Sequence, residues 1–455
     1  MDDALLEPNA ASPHPLAIDR DCDVCVVGAG LAGLTVALEA ARLGAEVIVL
    51  EAGRIGAHAS GHQLGSVMPG FGVPVGDLIA RVGFAAARSL WALSCEGMDY
   101  VRATAGGAGL AALTPVDGAL EVSQVDLGDE LIGRLQVLGE DFGAEVEGWQ
   151  AEQVRDVLRS RRYFHAIHYP RAFQIDGAAY LAHLAALARG AGVRIFEGTP
   201  VVGFDYAGIR KRIVTPQARL RAGHLVLAGN VHLGTPFPRL TATLTPVWRY
   251  AAITAPLGDR LAEAVRFGGT VVDPAGIEQY RIIDGDRLMW AGPETTWAVA
   301  PRCFEGALRR RMRTVFPSLG RIEIERVVCG VDGHAVHGMP QIGELRRGVW
   351  VASGFGRRGL NTTAMAGQLI ARGIMQRDDC WKQFSPYELV WAGGMAGRVA
   401  AQVASGWSRR ATAAAGALAR YREGALARER LREERLAAVS RRVRAGAEQA
   451  DRSRG

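Results

Sequence analysis

The sequence contains no long uninterrupted apolar run. Its most apolar late stretch, residues 390–407, is broken by Arg398 and by several glycines, whereas a membrane-spanning helix needs about 20 consecutive apolar residues. The first residues include Asp2 and Asp3 and lack the basic and then apolar pattern of a secretory signal. These two absences predict a cytoplasmic protein with no transmembrane segment.

Cysteine is also sparse. Six cysteines are scattered along the 455 residues, so a disulfide framework is not expected. Cys22 and Cys25 form a C-x-x-C, but Cys25 falls within an apolar strand and no second pair follows. His334 and His337 have no carboxylate cluster beside them in the sequence. We therefore expect no metal site.

Outside its C-terminus the chain carries little excess charge of either sign. Residues 408–455 hold thirteen arginines and six acidic residues, a net charge of +7, which leaves about −1 for the rest of a chain whose total is +6. A body without excess positive charge gives no reason to expect a nucleic-acid partner. The tail is also rich in Ala and Glu, which favours a helix without a sustained heptad repeat.

A glycine-rich segment near the N-terminus lies between two predicted elements. The apolar residues 23–27 predict a buried parallel strand, and residues 31–43 have helical spacing. Residues 46–50 predict the next strand, which Glu51 and Ala52 follow. The G-x-G-x-x-G between the first strand and the helix consists of Gly28, Ala29, Gly30, Leu31, Ala32 and Gly33.

Each part of this unit has a physical role. Gly28 permits a tight turn, Gly30 lets the backbone approach a pyrophosphate, and Gly33 lets the helix pack on the strand. The helix N-terminus offers free N–H groups to the diphosphate. Glu51 can accept hydrogen bonds from an adenosine ribose, and its charge disfavours a 2′-phosphate. The unit therefore predicts a dinucleotide site.

A second glycine cluster lies far along the chain. Residues 348–353 predict a strand, Gly354 and Gly356 follow it, and a helix is expected from Gly359 to Ile374. Two glycine-rich helix starts suit a long cofactor, because one can bind the diphosphate and the other the far end. A flavin gains negative charge on reduction, which a helix N-terminus stabilises. The pattern therefore favours FAD over NAD.

These motifs resemble those of the D-amino-acid oxidase, glycine oxidase and sarcosine oxidase superfamily of flavoproteins. The resemblance extends from about residue 23 to about residue 394 and lies in the segments 23–51, 59–65, 225–230, 339–343 and 349–363. Within the superfamily, the Ala-Ser-Gly at residues 59–61, the Ala-Gly-Asn at 228–230 and the Gly-Leu-Asn at 359–361 look most like the γ-glutamylputrescine oxidase branch.

The resemblance implies an α/β fold (α+β overall). It would combine an extended-FAD, Rossmann-like domain of glutathione-reductase type with a mostly antiparallel β-sheet substrate domain. The implied FAD domain comprises residues 21–86, 160–238 and 326–378, and the substrate domain residues 87–159 and 239–325. Residues 1–20 are expected to form a loose leader, and residues 379–455 a C-terminal extension.

The resemblance also implies which residues contact FAD. Besides the first glycine unit, Glu51 and Ala52, these are Ser60, Gly61, His62, Gln63, Val201, Ala228, Gly229, Gly354, Gly356, Arg357, Arg358, Gly359, Leu360, Asn361 and Thr362. Related amine dehydrogenases attach flavin covalently through a His near the place of His62, and monomeric sarcosine oxidases through a Cys near the place of Cys329. Here a hydrogen-bonding His62 and a buried strand Cys329 are the competing interpretations.

The substrate pocket is predicted from three candidates, and no catalytic acid or base is assigned. Arg358 stands where the branch often has a His. It could bind a substrate carboxylate or stabilise reduced flavin. Tyr280 lies on a predicted substrate-domain strand and either hydrogen-bonds the substrate or packs in the sheet. His62 is the third candidate.

The implied activity is oxidation of the carbon–nitrogen bond of a small amine or amino acid. A hydride passes to the flavin, the imine hydrolyses, and oxygen or another electron acceptor reoxidises the flavin. The Arg-rich tail favours an alternative, a flavoprotein of a multisubunit or tRNA-modifying assembly that oxidises no amine by itself.

Overall fold

The computed structural model describes residues 14–234, 236–274 and 278–452, with side chains up to residue 435 except those of residues 293 and 431. Most of the predicted leader lies outside these residues. The part that is described is anchored rather than loose: Leu16 is buried, and its N–H donates to Thr199 Oγ1 over 3.0 Å.

The described residues form seventeen strands. In chain order these are β1 Arg20–Val27, β2 Val47–Leu50, β3 Ser66–Val67, β4 Val116–Ser123, β5 Glu147–Gln150, β6 His165–Gln174, β7 Arg194–Phe196, β8 Gly203–Asp205, β9 Lys211–Val214, β10 Arg219–Leu227, β11 Leu244–Thr254, β12 Thr270–Asp273, β13 Glu278–Ile283, β14 Arg287–Thr295, β15 Ile324–Ala335, β16 Gln341–Arg346 and β17 Val349–Ser353.

Eleven α-helices connect or cover them in the described part of the chain. They are α1 Leu31–Arg42, α2 Val75–Val82, α3 Phe84–Gly106, α4 Gly128–Gln136, α5 Ala151–Val157, α6 Gly177–Gly190, α7 Pro238–Thr241, α8 Asp259–Ala264, α9 Arg302–Val315, α10 Gly359–Gln376 and α11 Gly394–Arg452. None of the described helices is long and apolar enough to cross a bilayer.

The first sheet has the order β16-β17-β10-β1-β2-β7, with β8 and β9 attached beside β10. Its central strands β17, β10, β1 and β2 are parallel neighbours. β1 is apolar because it lies in the middle of this sheet, and its residues 24–26 are fully buried. Helices α1 and α10 pack together on one face of this sheet.

The second sheet has the order β15-β11-β14-β13-β12-β4-β6-β3, and β5 pairs with β6. All its pairings are antiparallel except that of β12 with β4. One face carries Tyr280 and Trp290 and packs with helix α9 in a closed core. The other face carries Met289 and Ala291 and meets Leu64 from the first domain. The expected two-sheet fold is confirmed.

Two long strands pair in the second sheet although the predicted domain bounds place them with the first. β6 and the whole of β15 lie in the second sheet, although residues 160–174 and 326–335 were expected in the FAD domain. The reason is pairing: β15 runs beside β11 along its full length, from Leu244 opposite Ala335 to Thr254 opposite Ile324. An apolar strand sequence does not reveal which sheet its partner belongs to.

The C-terminal extension ends in one long helix, α11, of 59 residues. Its first half lies along the second sheet. The Nε of Arg398 donates to the Thr296 carbonyl over 3.1 Å, and Gln402 Oε1 accepts from the Thr296 N–H over 2.8 Å. Further along, Arg155 pairs with Glu423. The helix predicted for the tail is therefore present, and polar contacts hold it to the body.

Candidate cofactor and substrate site

The segments predicted to bind the cofactor follow the carboxyl ends of four parallel strands. Gly28 follows β1, Glu51 follows β2, Ala228 follows β10 and Gly354 follows β17. Ligands of open α/β sheets bind at this edge. A single cleft opens there, which we call the cofactor cleft; its lining includes Gly28–Ala32, Glu51, Ala52, Ser60, Gln63, Val201, Ala228, Gly229, Asn230, Asp332, Gly359 and Thr363.

The turn after β1 has the geometry that a diphosphate needs. Gly28 has φ +107°, in the left-handed region that favours glycine. A Cβ on Gly33 would collide with the Gly28 carbonyl, so only glycine lets α1 pack this closely. Helix α1 begins after Gly30 with no acidic residue in its first turn. Its N-terminal N–H groups and positive end therefore face the cleft ready for an anion.

Glu51 is held in place by two backbone amides. Its Oε2 accepts from the Ala29 N–H and its Oε1 from the Gly53 N–H, each over 2.9 Å. Each carboxylate oxygen keeps a further lone pair for a ribose hydroxyl. The carboxylate is thus oriented before any ligand arrives, which fits an adenosine ribose.

A buried polar group in the same cleft also points to a ligand. Asn230 adopts φ +50°, and its amide donates to the Asp332 carboxylate. Its own Oδ1 is buried and finds no hydrogen-bond partner among the described residues. Burial raises the pKa of Asp332 to about 6. Asn230 Oδ1 is thus a buried acceptor without a donor, in the same cleft as the glycine turn and Glu51. Together these residues fit FAD.

A smaller cavity adjoins the cofactor cleft at Ala59, Gln63 and Asp332. We call it the side cavity; its other lining residues are His62, Leu64, Val247, Arg249, Ala251, Val328, Gly330, His334, Gly356 and Arg357. Strands β11 and β15 supply one wall with alternate side chains, and the loop after β17 supplies the opposite wall. It lies between the second sheet and the loop predicted to face the flavin, where a substrate would meet the cofactor.

An ion triad closes one end of the side cavity. Glu294 is buried, accepts from Arg357 Nη2 over 2.8 Å, and also pairs with Arg249. Burial alone would raise the pKa of Glu294, but Arg249 and Arg357 together hold it well below its usual range. Burial lowers the pKa of His334, on the same wall, to about 4. The wall thus presents a neutral imidazole and a triad with net charge +1.

Arg358 belongs to a second triad. Its Nη2 lies 3.7 Å from Glu121 Oε2, and Glu121 also pairs with Arg134. Its Nη1 lies 2.6 Å from Met68 Sδ. Arg358 therefore points away from the side cavity, and Arg357, not Arg358, lines that cavity. Arg357 and Arg358 therefore each contact one glutamate, and in both triads a second arginine contacts the same glutamate.

Tyr280 lies on the closed face of the second sheet. Its ring stacks on Trp290 with centroids 4.3 Å apart, and its hydroxyl donates to the Tyr163 hydroxyl over 3.3 Å. The side chain is fully buried. Neighbouring positions on a strand point to opposite faces, so Arg281 rather than Tyr280 is on the flavin side. These contacts are the ones that the packing interpretation of Tyr280 expects.

The two candidates for covalent attachment differ in position. His62 lines the side cavity, and its Nδ1 lies 3.0 Å from the His58 carbonyl oxygen. Cys329 lies opposite Tyr250 on the neighbouring strand β11 and packs against the closed core. The next residue, Gly330, lines the side cavity. Alternation along β15 thus turns the Cys329 thiol away from the cofactor, and burial raises its pKa.

Several predicted cofactor residues support the cleft without lining it. A Cβ on Gly61 would collide with the Gly56 carbonyl, and Asn361 Nδ2 donates to the Gly70 carbonyl over 3.1 Å. These two residues let neighbouring segments of the chain pack closely around the cleft. Outside both linings lie Gly33, Gly61, Gly354, Arg358, Leu360, Asn361 and Thr362.

Comparison with known proteins gives the family. Residues 23–372 match the family of FAD dependent oxidoreductases. The chain belongs to this family. The resemblance inferred from the motifs and the prediction of an FAD-dependent oxidoreductase are thereby confirmed.

Curated relatives cover most of the chain. A probable oxidoreductase OrdL of Haemophilus influenzae is 26% identical over 80% of this chain and 85% of its own length. Gamma-glutamylputrescine oxidoreductase of Escherichia coli is 26% identical over 80% of this chain and 87% of its own length. Relatives with these names agree with the predicted branch.

Solved structures share the fold. Glycine oxidase from Geobacillus kaustophilus superposes with a TM-score of 0.66 at 20% identity, covering 81% of this chain and 98% of its own. L-proline dehydrogenase from P. horikoshii gives a TM-score of 0.67 at 18% identity over 81% and 98%. At this identity the likeness establishes the architecture.

Sequence reasoning missed the residues that build the side cavity. Arg249, Glu294 and Asp332 come from three different strands, and His58 and His232 stack with ring centroids 3.8 Å apart within the cofactor cleft. A charged residue at an inward position of a strand was the available signal for Arg249 and Glu294. Their partnership with Arg357 is visible only once the strands are paired.

Proposed function

We propose that this protein oxidises the carbon–nitrogen bond of a small amine or amino acid, with FAD as the acceptor of two electrons. The observation that carries the proposal is the side cavity. It opens into the cofactor cleft at Gln63 and Asp332 and ends at the buried triad around Glu294. A compact space beside the cofactor, with both charged and aliphatic residues in its walls, suits a small substrate that has polar and apolar parts.

The chemistry needs few protein groups. The substrate loses a hydride from the carbon next to nitrogen and a proton from the nitrogen, and water hydrolyses the resulting imine. Bound FAD supplies the hydride acceptor. His334, whose pKa burial lowers to about 4, is neutral at physiological pH and does not repel a substrate cation. The residues of the cavity orient the amine and exclude water, which suffices for transfer between well-placed atoms.

The substrate in this proposal carries a carboxylate in addition to the amine. Each triad holds two arginines for one glutamate, so each retains a net charge of +1. Arg358 is the looser member, because its closest carboxylate oxygen is 3.7 Å away. A guanidinium in a partly buried site gains most from a carboxylate partner. Arg358 is therefore the proposed carboxylate ligand, after a side-chain rotation away from Met68.

Anaerobic titration of the FAD-loaded protein tests the proposal. The panel contains γ-glutamylputrescine, glycine, sarcosine and proline, with a primary alcohol as the control. We expect one amine to bleach the visible flavin absorbance stoichiometrically and the alcohol to leave it unchanged. If no amine reduces the flavin while dithionite does, the protein is not a self-sufficient amine oxidase, and the alternative role within a larger assembly gains support. Reoxidation of the reduced protein by air then shows whether oxygen is the acceptor.

We further propose that the FAD is bound without a covalent link. The Nδ1 of His62 is already engaged by the His58 carbonyl oxygen, and Cys329 faces the closed core. Acid precipitation is therefore expected to release all the yellow colour into the supernatant. Colour that stays with the precipitate of the wild type, and is released from His62→Ala, would establish the covalent bond instead.

A further inference from the structure

A pocket lies under helix α11, on the face of the second sheet that is turned away from the cofactor. We call it the tail pocket; its lining residues are Gln124, Glu278, Gly292, Ala307, Leu308, Arg311, Arg409, Thr412 and Ala413. Helices α9 and α11 form its sides, and β13 and the end of β4 form its floor. Its volume is about 240 Å³, whereas a single water needs on the order of 10–15 Å³ of such space.

Charged atoms around the tail pocket are buried without partners. Arg162 donates through Nη2 to Gln124 Oε1 over 2.9 Å, but its Nε is buried and unpartnered among the described residues. Arg420 Nη1 is also buried and unpartnered among the described residues, and it lies on α11 near Gly416, where the helix approaches the Gln124 backbone. Glu278 binds Arg311 through Oε1 over 2.5 Å, and its Oε2 is also buried without a partner among the described residues. Buried guanidinium N–H groups that lack acceptors are costly and call for an anionic ligand.

The charges around the pocket do not balance. The cationic groups are those of Arg162, Arg311, Arg409 and Arg420, and the carboxylates are those of Glu278 and Asp273. Burial lowers the pKa of Arg162, and its neighbours Arg311 and Arg420 lower it further. Burial also raises the pKa of Glu278, against the effect of Arg311. The nearby Arg155–Glu423 pair is internally neutral, so an excess of about two positive charges remains.

We propose that the tail pocket binds a small oxyanion of charge −2, of the phosphate or dicarboxylate kind, through the guanidinium group of Arg409 in its lining and those of Arg420 and Arg162 beside it. Two arginines come from α11 and one from the body. The bound anion therefore joins the tail helix to the substrate domain. The proposal is independent of the reaction at the cofactor.

The position of Arg409 links this site to the rest of the molecule. Its Nη1 lies 3.4 Å from the Glu294 carbonyl oxygen, and the side chain of Glu294 holds Arg357 on the cofactor side of the sheet. A bound anion would therefore hold α11 beside Glu294, the residue whose side chain binds Arg249 and Arg357 at the side cavity. The tail pocket is thus a place where a metabolite can stabilise the tail without entering the active site.

Isothermal titration of the full-length, FAD-loaded protein tests the proposal. Inorganic phosphate is one titrant and succinate the other, each at constant ionic strength balanced with chloride. We expect saturable binding of one anion at one site per chain, and a rise of Tm that follows the same saturation curve. Preference for phosphate over succinate, or the reverse, identifies which kind of oxyanion the site takes.

Arg409→Gln removes a guanidinium from the pocket lining and Arg420→Gln one from beside the pocket, and Arg410→Gln is the matched control. Arg410 is the neighbour of Arg409 on α11 and is exposed, so its loss changes the net charge equally. We expect the two pocket variants to bind the anion about 10- to 100-fold more weakly, which is the usual weight of a charge-assisted hydrogen bond. Arg410→Gln should bind as the wild type does.

Two outcomes would overturn the proposal. One is the absence of saturable binding of both anions by the wild type. The other is equal weakening in Arg409→Gln and Arg410→Gln, which would mean general charge attraction. Far-UV circular dichroism and the flavin spectrum verify that each variant is folded, and Arg420→Gln provides a second measurement if Arg409→Gln proves unstable.

Discussion

The cofactor cleft and the side cavity adjoin each other but are built from different groups. The cleft presents backbone: the turn at Gly28, the N–H groups at the start of α1 and the amides that hold Glu51. The side cavity presents charged side chains, chiefly the triad of Arg249, Glu294 and Arg357.

This difference decides how each region responds to mutation. A backbone surface keeps its shape under most substitutions and fails where a new side chain occupies ligand space. A surface of buried charges fails when the charge balance changes, even if the shape is kept, because an uncompensated buried charge is costly. Steric variants should therefore damage the cleft, and charge variants the cavity.

Gly30→Val is expected to have the largest effect. A Cβ at this position would lie 2.9 Å from Ser60 Oγ, and the larger side chain would fill the space of the diphosphate. The purified variant should be colourless and fail to take up added FAD. Gly190→Ala is the matched control, since a Cβ there meets nothing within 4 Å. A yellow Gly30→Val protein would show that the diphosphate binds elsewhere.

Glu294→Gln keeps the shape of the side cavity and removes its central charge. We expect a loss of about 2–3 kcal/mol in the free energy of unfolding, because two arginines lose their shared carboxylate. The arginines are partly exposed, with side-chain accessibilities of 26% and 39%, which keeps the loss below that of a fully buried pair. Urea unfolding measures it, with the exposed Glu323→Gln as control.

The difference in unfolding free energy between the wild type and Glu294→Gln should depend on pH. The pKa of Glu294 is depressed in the folded protein from its usual 4.5, so its stabilising contribution is present above about pH 4.5 and is lost as the pH falls through the folded value. The stability difference between wild type and Glu294→Gln should therefore be constant at neutral pH and shrink in acid. A difference that grows below pH 4.5 would contradict the depressed pKa.

Arg358→Ala tests whether Arg358 binds the carboxylate of the substrate. If Arg358 binds a carboxylate, KM for an acidic amine rises by an amount worth about 2 kcal/mol, while amines without a carboxylate are spared. Steady-state kinetics on both kinds of amine measure the difference, and Arg358→Lys, which keeps the charge, should recover part of it. Equal slowing of all amines at unchanged KM would assign Arg358 to stabilisation of reduced flavin.

Tyr280→Phe should have the smallest effect, because it alters only the closed face of the second sheet. It removes one hydroxyl contact of 3.3 Å with Tyr163, which is worth about 0.5–1.5 kcal/mol. A slightly lower Tm with unchanged KM is expected. An increase of KM for every substrate would mean that this face communicates with the cavity.

Local motifs allowed the cofactor half to be predicted. Gly28 to Gly33 and Glu51 lie within one short segment, and each has a role that the segment itself explains. The side cavity lacked such a signal, because Arg249 and Glu294 are 45 residues apart and Glu294 and Arg357 are 63 apart. Contacts over such separations depend on strand pairing, which no local pattern encodes.

The second sheet shows a related difficulty. Alternation indicates that Tyr280 and Arg281 point to opposite faces, but not which face meets the cofactor. A shift of one residue in this assignment exchanges pocket and core. The two interpretations left open for Tyr280 arose in this way, and the same ambiguity applies to Cys329 and Gly330.

The strand order of the first sheet has a consequence for folding during synthesis. β1 pairs with β10, in a register that joins Arg20 to Leu220, and β10 pairs in turn with β17. During synthesis, the edge of the apolar strand β1 that pairs with β10 therefore stays unpaired until β10 has been made. The first sheet is complete only after Ser353 has been added. Such late closure slows folding and exposes strand edges to misassembly. A chain released before β17 should consequently be a substrate for chaperones or proteases, whatever the supply of cofactor.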